Sequence, residues 1–199
     1  MSSVIQIANR ALTKLGAGRI TSLSDDIKAA RDVQSCFDDL RDDELRARRW
    51  QFSIRRTSLA ALVTPPDHGW NFQYQLPADC LKIDMVNDRF PAGVLTDYIG
   101  TEMLEWTVEN NCILTNLSAP LKLRYLARVT DPAQWDPGFR EVLACRIAAE
   151  LAESLTQSNQ KRELAWQEYK MAVTKALRSN AIERQPVMLN DEAWILSRV

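Results

Sequence analysis

The sequence predicts an α+β fold that is mostly α: a four-helix bundle-like core with a small antiparallel β lobe inserted into it. Three observations lead there. Apolar residues recur at helical spacing up to about residue 64 and again after residue 128. Between them, from Trp70 to Ala127, the pattern changes to period two. The run Pro65-Pro66-Asp67-His68-Gly69 separates the two regimes, because two prolines and a glycine end a helix. The expected organisation is a helical domain made of 1–64 and 128–180, a β-rich insertion of 65–127 and a C-terminal arm of 181–199.

The first helix is expected over 3–15, with Val4, Ala8, Ala11, Leu12 and Leu15 on one face and Gly16 and Gly18 as stop signals. Ser24 is the candidate N-cap of the second helix, with Asp25 and Asp26 complementing its positive end. That helix carries Ile27, Ala30, Val33, Phe37 and Leu40 as its apolar stripe and runs to about residue 48. Helical pattern is read on through Leu59, Ala60 and Leu62 to the proline break.

In the middle region Phe72, Tyr74 and Leu76 alternate with polar residues, and so do Leu81, Ile83 and Met85. Two short strands, 105–108 and 112–115, flank Glu109-Asn110-Asn111, which reads as a hairpin turn. Leu121, Leu123, Tyr125 and Ala127 form one face of a further strand, for four or five strands in all. Helix returns near Pro137. Phe139, Leu143, Ile147, Leu151 and Leu155 are spaced by fours, and Val142, Ala144, Cys145, Ala148 and Ala152 widen the stripe until little of that helix is polar. A helix apolar nearly all round belongs in the middle of a packed group. Ser158 or Asn159 caps the last long helix, whose inner face is Leu164, Ala165, Tyr169, Ala172, Val173 and Ala176.

Composition bounds the function. A chain of 199 residues buries roughly 70% of its unfolded surface on folding, so it needs no metal or disulfide for stability. The 25 basic and 26 acidic residues nearly cancel, whereas proteins that neutralise many phosphates carry a basic surplus. Cys36, Cys80, Cys112 and Cys145 share no close spacing, so neither a zinc site nor a disulfide framework is expected, and they read as reduced residues packed as small apolar groups. The N-terminus lacks a charged region followed by an apolar core, and no stretch reaches the ~20 apolar residues of a membrane span, so a protein made and folded in cytosol is expected.

Chemistry is sparse. The one histidine, His68, sits in a turn without a nucleophile or an orienting acid nearby in sequence. No phosphate-cradling, dinucleotide-binding, nucleophile-elbow or zinc-protease string occurs. The carboxylates Asp38, Asp39, Asp42, Asp43 and Glu44 read as a solvated helix face, with Arg41, Arg46 and Arg48 in neutralising reach. No enzyme activity, cofactor or metal is expected. Two segments stand out instead. The run 46–56 interleaves arginines, Arg48, Arg49, Arg55 and Arg56 among them, with Trp50 and Phe52. It reads as a helix end whose aromatics enter the core, as a DNA contact, or as a subunit contact. The C-terminal cluster Val187, Met188, Leu189, Trp194, Ile195 and Leu196 is too apolar for a free-standing tail.

Several segments in order then carry a resemblance: Ala11-Leu12-Thr13-Lys14-Leu15-Gly16, the connector 20–25, Arg48-Arg49-Trp50-Gln51-Phe52-Ser53, the run 69–81 with its Tyr74-Gln75-Leu76-Pro77-Ala78-Asp79-Cys80-Leu81, Leu123-Arg124-Tyr125 and the alanine-rich 144–152. This order resembles the tail tubular protein A family of podoviruses, the head-to-tail adaptor or connector proteins, over 11–176. The resemblance implies a structural virion protein with no catalytic residues. It implies a dodecameric self-associated ring that docks on the portal protein at one end, receives the tail nozzle protein at the other, and passes double-stranded DNA through its middle without contact to a membrane. Assembly in the host bacterial cytoplasm and a final place in the virion tail follow from it. Portal contact in this family typically involves C-terminal segments, which makes Val187 to Leu196 the expected docking arm. The alternative carried forward is a nucleic-acid-binding helical module that uses residues 46–56.

Overall fold

Ser3 starts the first helix, α1 (Val4–Leu15), by a reciprocal cap. Its hydroxyl accepts from the Gln6 amide at 3.2 Å while the Gln6 side chain accepts from the Ser3 amide at 3.1 Å. Gly16 ends α1 at φ +72°, a left-handed conformation that glycine adopts at little cost. The structure is a computed structural model and describes residues 3–87 and 106–183. In the connector that follows, Asn9 clamps Ile20 through both its side-chain amide and its carbonyl oxygen, each at 2.8 Å, and Ile20 is buried.

α2 (Lys28–Ala47) begins later than its expected cap, Ser24. Ile27 stands at the N-cap without a side-chain bond. Asp25 instead accepts from the amides of Thr21 at 2.8 Å and Ser22 at 3.1 Å, so the polar residues ahead of α2 fold the connector rather than start the helix. α2 buries Ala30, Val33, Phe37 and Leu40 as patterned, and also Arg41, Glu44 and Leu45, whereas Ile27, expected in the stripe, is exposed ahead of the helix.

α3 (Pro137–Thr156) has Pro137 in its first turn and Asp136 as cap, accepting from Gly138 and Phe139. Ten of its residues are buried, distributed round the helix as the alanine-rich pattern demands. It contacts α1, α2 and α4 (Asn159–Ile182), and so is the element the other helices share. Ser158 caps α4, accepting from Lys161 at 3.4 Å. Where α3 and α4 cross, a Cβ on Gly138 would lie 3.1 Å from the Ala176 methyl, so glycine permits the close approach.

Six strands lie among the described residues: β1 (Ile54–Leu59), β2 (Phe72–Gln75), β3 (Cys80–Val86), β4 (Trp106–Glu109), β5 (Cys112–Thr115) and β6 (Leu121–Ala127). They form two three-stranded antiparallel sheets, ordered β1-β6-β3 and β2-β5-β4. The β4–β5 turn places Asn110 and Asn111 at φ +46° and +58°, the geometry of a two-residue primed turn, for which asparagine is favoured. The two sheets share a core of Tyr74, Leu76, Ile83, Val86, Ile113, Leu121, Leu123, Tyr125 and Ala127. A second, larger core belongs to the helices.

The helical reading of the stretch after α2 is overturned. Residues 54–59, read as a continuation of helix, are the strand β1, paired along its whole length with β6 from Ile54↔Leu126 to Leu59↔Leu121. The chain leaves α2 in extended conformation at Arg48, makes one 3-10 turn at Gln51–Ser53 and enters the sheet. The partner that makes this a strand lies some seventy residues downstream, where a local periodicity reading does not reach. The fold class is α+β, with four helices and two small sheets among the described residues. Among the described residues no helix is long and apolar enough to cross a membrane.

Candidate functional site

The arginine run falls at the junction of the helices and the sheets, and the fold divides it. Trp50 is fully buried, donates from its indole nitrogen to the Glu44 carbonyl at 3.0 Å, and meets Phe139 edge-on with centroids 5.2 Å apart. Phe52 and Trp135 contact the same Phe139 ring at 5.2 and 5.4 Å. Trp50 and Phe52 are therefore core residues, and neither is presented for stacking on a base.

The arginines go four separate ways. Arg48 pairs with Glu44, donates to the Tyr169 hydroxyl at 3.0 Å and lies over the Tyr169 ring. Arg49 pairs with Asp84 at 3.2 Å, and Arg124 of β6 pairs with the same carboxylate. Arg55 pairs with Asp79 at 2.7 Å. Arg56 is exposed on β1, directly opposite Arg124 on β6, and makes no ion pair among the described residues. The run thus does not form one surface. The expected docking residues Val187, Met188, Leu189, Trp194, Ile195 and Leu196 lie outside the described residues.

Sequence reasoning missed a buried polar node. Glu44, read as part of a solvated acidic face, is 3% exposed. Its carboxylate accepts from the Tyr169 hydroxyl of α4 and from Arg48, which joins the C-terminal end of α2 to α4. A carboxylate this buried is retained only where donors satisfy it. Burial first, then the hydrogen bond to Glu44, push the Tyr169 hydroxyl above the usual tyrosine pKa, so it stays a donor. The only local hint was the Glu44/Arg48 spacing of four on a helix. Arg41 is likewise buried, between Asp38 at 2.6 Å and Asp42 at 2.8 Å. Asp39 and Asp43 are exposed, as the wet face requires.

Beside the node lies an open cleft of about 510 Å³. Arg46, Lys82, Arg146 and Asp43 line it together with Glu44 and Arg48. Arg46 reaches the Leu81 carbonyl at 2.7 Å, and Arg146 lies 4.8 Å over the Trp166 ring. A smaller hollow of about 280 Å³ opens on the outer face of the first sheet, lined by Arg56, Thr57, Met85, Lys122 and Arg124. His68 is exposed in its turn and borders a separate hollow with Trp70 and Glu109.

Among the described residues no group of histidine, cysteine and carboxylate side chains has the arrangement of a metal site. The four cysteines are unpaired thiols. Burial raises Cys36, Cys80 and Cys145 to about 11, so their thiols are poor nucleophiles at neutral pH. These described surfaces present fixed cations, a satisfied carboxylate and aromatic faces. Comparison with family models and with curated proteins finds no match to this chain.

Proposed function

We propose that the protein is a non-catalytic structural adaptor of a short-tailed phage, a ring subunit that joins portal to tail nozzle and surrounds the passing DNA. The observation that carries this reading is the shared order of segments that resembles the tail tubular protein A family. Supporting it, four of those six segments fall at joints of the architecture and two lie inside its central elements. Residues 11–16 close α1, 20–25 form the clamped connector, and 48–53 make the passage from helix to sheet. Residues 69–81 carry β2 into β3, 123–125 lie in β6, and 144–152 lie in the central helix. Well-defined joints between packed elements are what a framework protein requires. In this reading the four helices form the bundle-like core, the two sheets meet a neighbouring subunit or the nozzle, and 181–199 is the arm that docks on the portal.

The test is native molar mass by light scattering, for this protein alone and mixed with the portal protein of the same phage. The expected result is a small species alone and a multi-copy complex with the portal. Separate elution over a range of salt and concentration overturns the reading. Truncation after Gln185 is expected to leave the fold intact and abolish portal binding. Normal binding by the truncated chain removes the arm from the proposal.

A further inference from the structure

Folding gathers on one side of this nearly neutral chain a set of cations that the sequence scatters over a hundred residues. Residues opposite one another on neighbouring strands point to the same face. On the outer face of the first sheet, Lys82 stands beside Leu126, and Met85, Arg124 and Arg56 form the next level. Ser58 and Lys122 form the level after that. The cleft that contains Arg46 and Arg146 reaches Lys82, and the hollow that contains Arg56 and Lys122 reaches Met85. The two openings therefore adjoin on the same face of β3.

Among the described residues the carboxylates along this path are few and mostly engaged. Glu44 is held by Arg48 and Tyr169, and Asp84 by Arg49 and Arg124. Asp43 is exposed, and Glu150 stands 3.7 Å from Arg146. Against these, Arg46, Arg56, Lys82 and Lys122 are all exposed and have no ion pair among the described residues.

We infer that Arg46, Lys82, Arg146, Arg56 and Lys122, brought together along the α2 terminus and the outer face of the β1-β6-β3 sheet, form a binding band for the phosphodiester backbone of a nucleic acid. The surface favours phosphate over an acidic protein. Protein interfaces are built round buried apolar anchors. Among the described residues, none of the exposed large apolar side chains, Ile27, Leu62, Val63, Val108, Leu164, Met171 and Ile182, lines either opening, and Met85 and Leu123 beneath the smaller one are already buried. Nucleic-acid interfaces are polar and strongly basic, which is the character of this band. The contacts are with backbone alone, so binding is independent of base sequence. The inference does not rest on the adaptor reading, and it replaces the linear run 46–56 by residues from β1, α2, β3, β6 and α3.

The test is fluorescence anisotropy of a labelled duplex of about 30 base pairs, titrated with the full chain at several salt concentrations. Neutralising about four phosphates predicts an affinity that falls roughly 100-fold between about 50 and 200 mM salt. The triple variant R56Q/K82Q/K122Q is expected to weaken low-salt binding at least roughly tenfold and to flatten the salt slope by about three. All three side chains are exposed, so the fold is retained and circular dichroism verifies it. The control K170Q/K175Q/R178Q removes the same charge from the exposed face of α4 and is expected to bind like the parent. Three outcomes overturn the inference: no binding of duplex at low salt, equal loss in the two triple variants, or a polyglutamate competitor that binds as tightly as the duplex at matched salt. The last would make the band a docking site for an acidic protein.

Discussion

α3 and α4 lie side by side and are similar in length, yet they are held in place by different means. α3 buries ten residues on every side, whereas α4 buries three, Ala165, Tyr169 and Ala176. α3 is thus fixed by packing, the term that dominates helix stability in proteins. α4 is fixed by a narrow seam of small residues and by directed polar bonds. Tyr169 bonds Glu44, Asn180 donates to the Arg49 carbonyl at 2.9 Å and accepts from the Gln51 amide at 3.0 Å, and Lys161 reaches the Leu15 carbonyl at 3.3 Å. A helix attached in this way leaves an outer face available, and Leu164, Met171 and Ile182 stand exposed on it. Neighbouring helices can therefore divide the work of a framework, one supplying stability and the other a surface.

Substitutions sharpen the contrast. The largest effect is expected on α3: Phe139→Ala removes the ring that Trp50, Phe52 and Trp135 all contact. It should cost about 3–5 kcal/mol in urea unfolding. A loss below about 1 kcal/mol would mean that α3 is not the packed centre.

Thiol chemistry examines the same helix without mutation. Cys145 is raised from 9.0 to about 11, chiefly by burial. Its thiolate fraction at pH 8 is then about 100-fold below that of an ordinary thiol. Alkylation followed by mass spectrometry should find Cys145 modified slowly in the native protein and at the model-thiol rate in urea. Fast native modification would show α3 opening locally.

On α4, Tyr169→Phe should cost about 1–3 kcal/mol, because Glu44 stays buried with one donor fewer. Its pH dependence has a definite sign. The folded pKa of Tyr169 lies above the ordinary 10.0, so its contribution is complete below pH 10 and is lost as pH rises through the raised value. The stability gap between wild type and Y169F should therefore be constant at neutral pH and close in strong alkali. A gap that stays unchanged through strong alkali would show that the hydroxyl contributes nothing.

The smallest effects are expected on the outer face of α4. Leu164→Ala and Met171→Ala, at 59% and 65% exposed, should change stability by no more than about 0.5 kcal/mol. A larger loss in the isolated protein would mean that a second copy of the chain covers this face, and its concentration dependence would show it.

The sequence made α3 legible because its signal is redundant: apolar residues at every fourth position, alanines between them, and Asp136-Pro137 at the start. The asparagine hairpin was legible for a similar reason, since Asn110 and Asn111 are suited to positive φ. β1 was not legible, because Ile54 to Leu59 take their conformation from β6. The Glu44–Tyr169 bond was hidden too, since it joins residues 125 positions apart. Of the surface residues, the arginine run was visible as composition, but its meaning depended on where each guanidinium finds a carboxylate. Lys82 and Lys122 drew no notice in the sequence, where nothing places them beside Arg46 and Arg56. Local pattern carries elements, whereas surfaces are products of topology.

The pairing of Ile54 with Leu126 sets the chain's departure for the sheets next to its return, and Trp50 and Trp135 press on one phenylalanine just inside that point. The excursion between is thus closed at its base by its own ladder and by a shared aromatic clasp. Closing a loop already pinned at its neck costs only a logarithmic increment for each added residue. The lobe can accordingly lengthen, shorten or be exchanged for a relative's while the helices keep their register. A lineage facing new neighbours would be able to retailor one end of this protein and inherit the other unchanged.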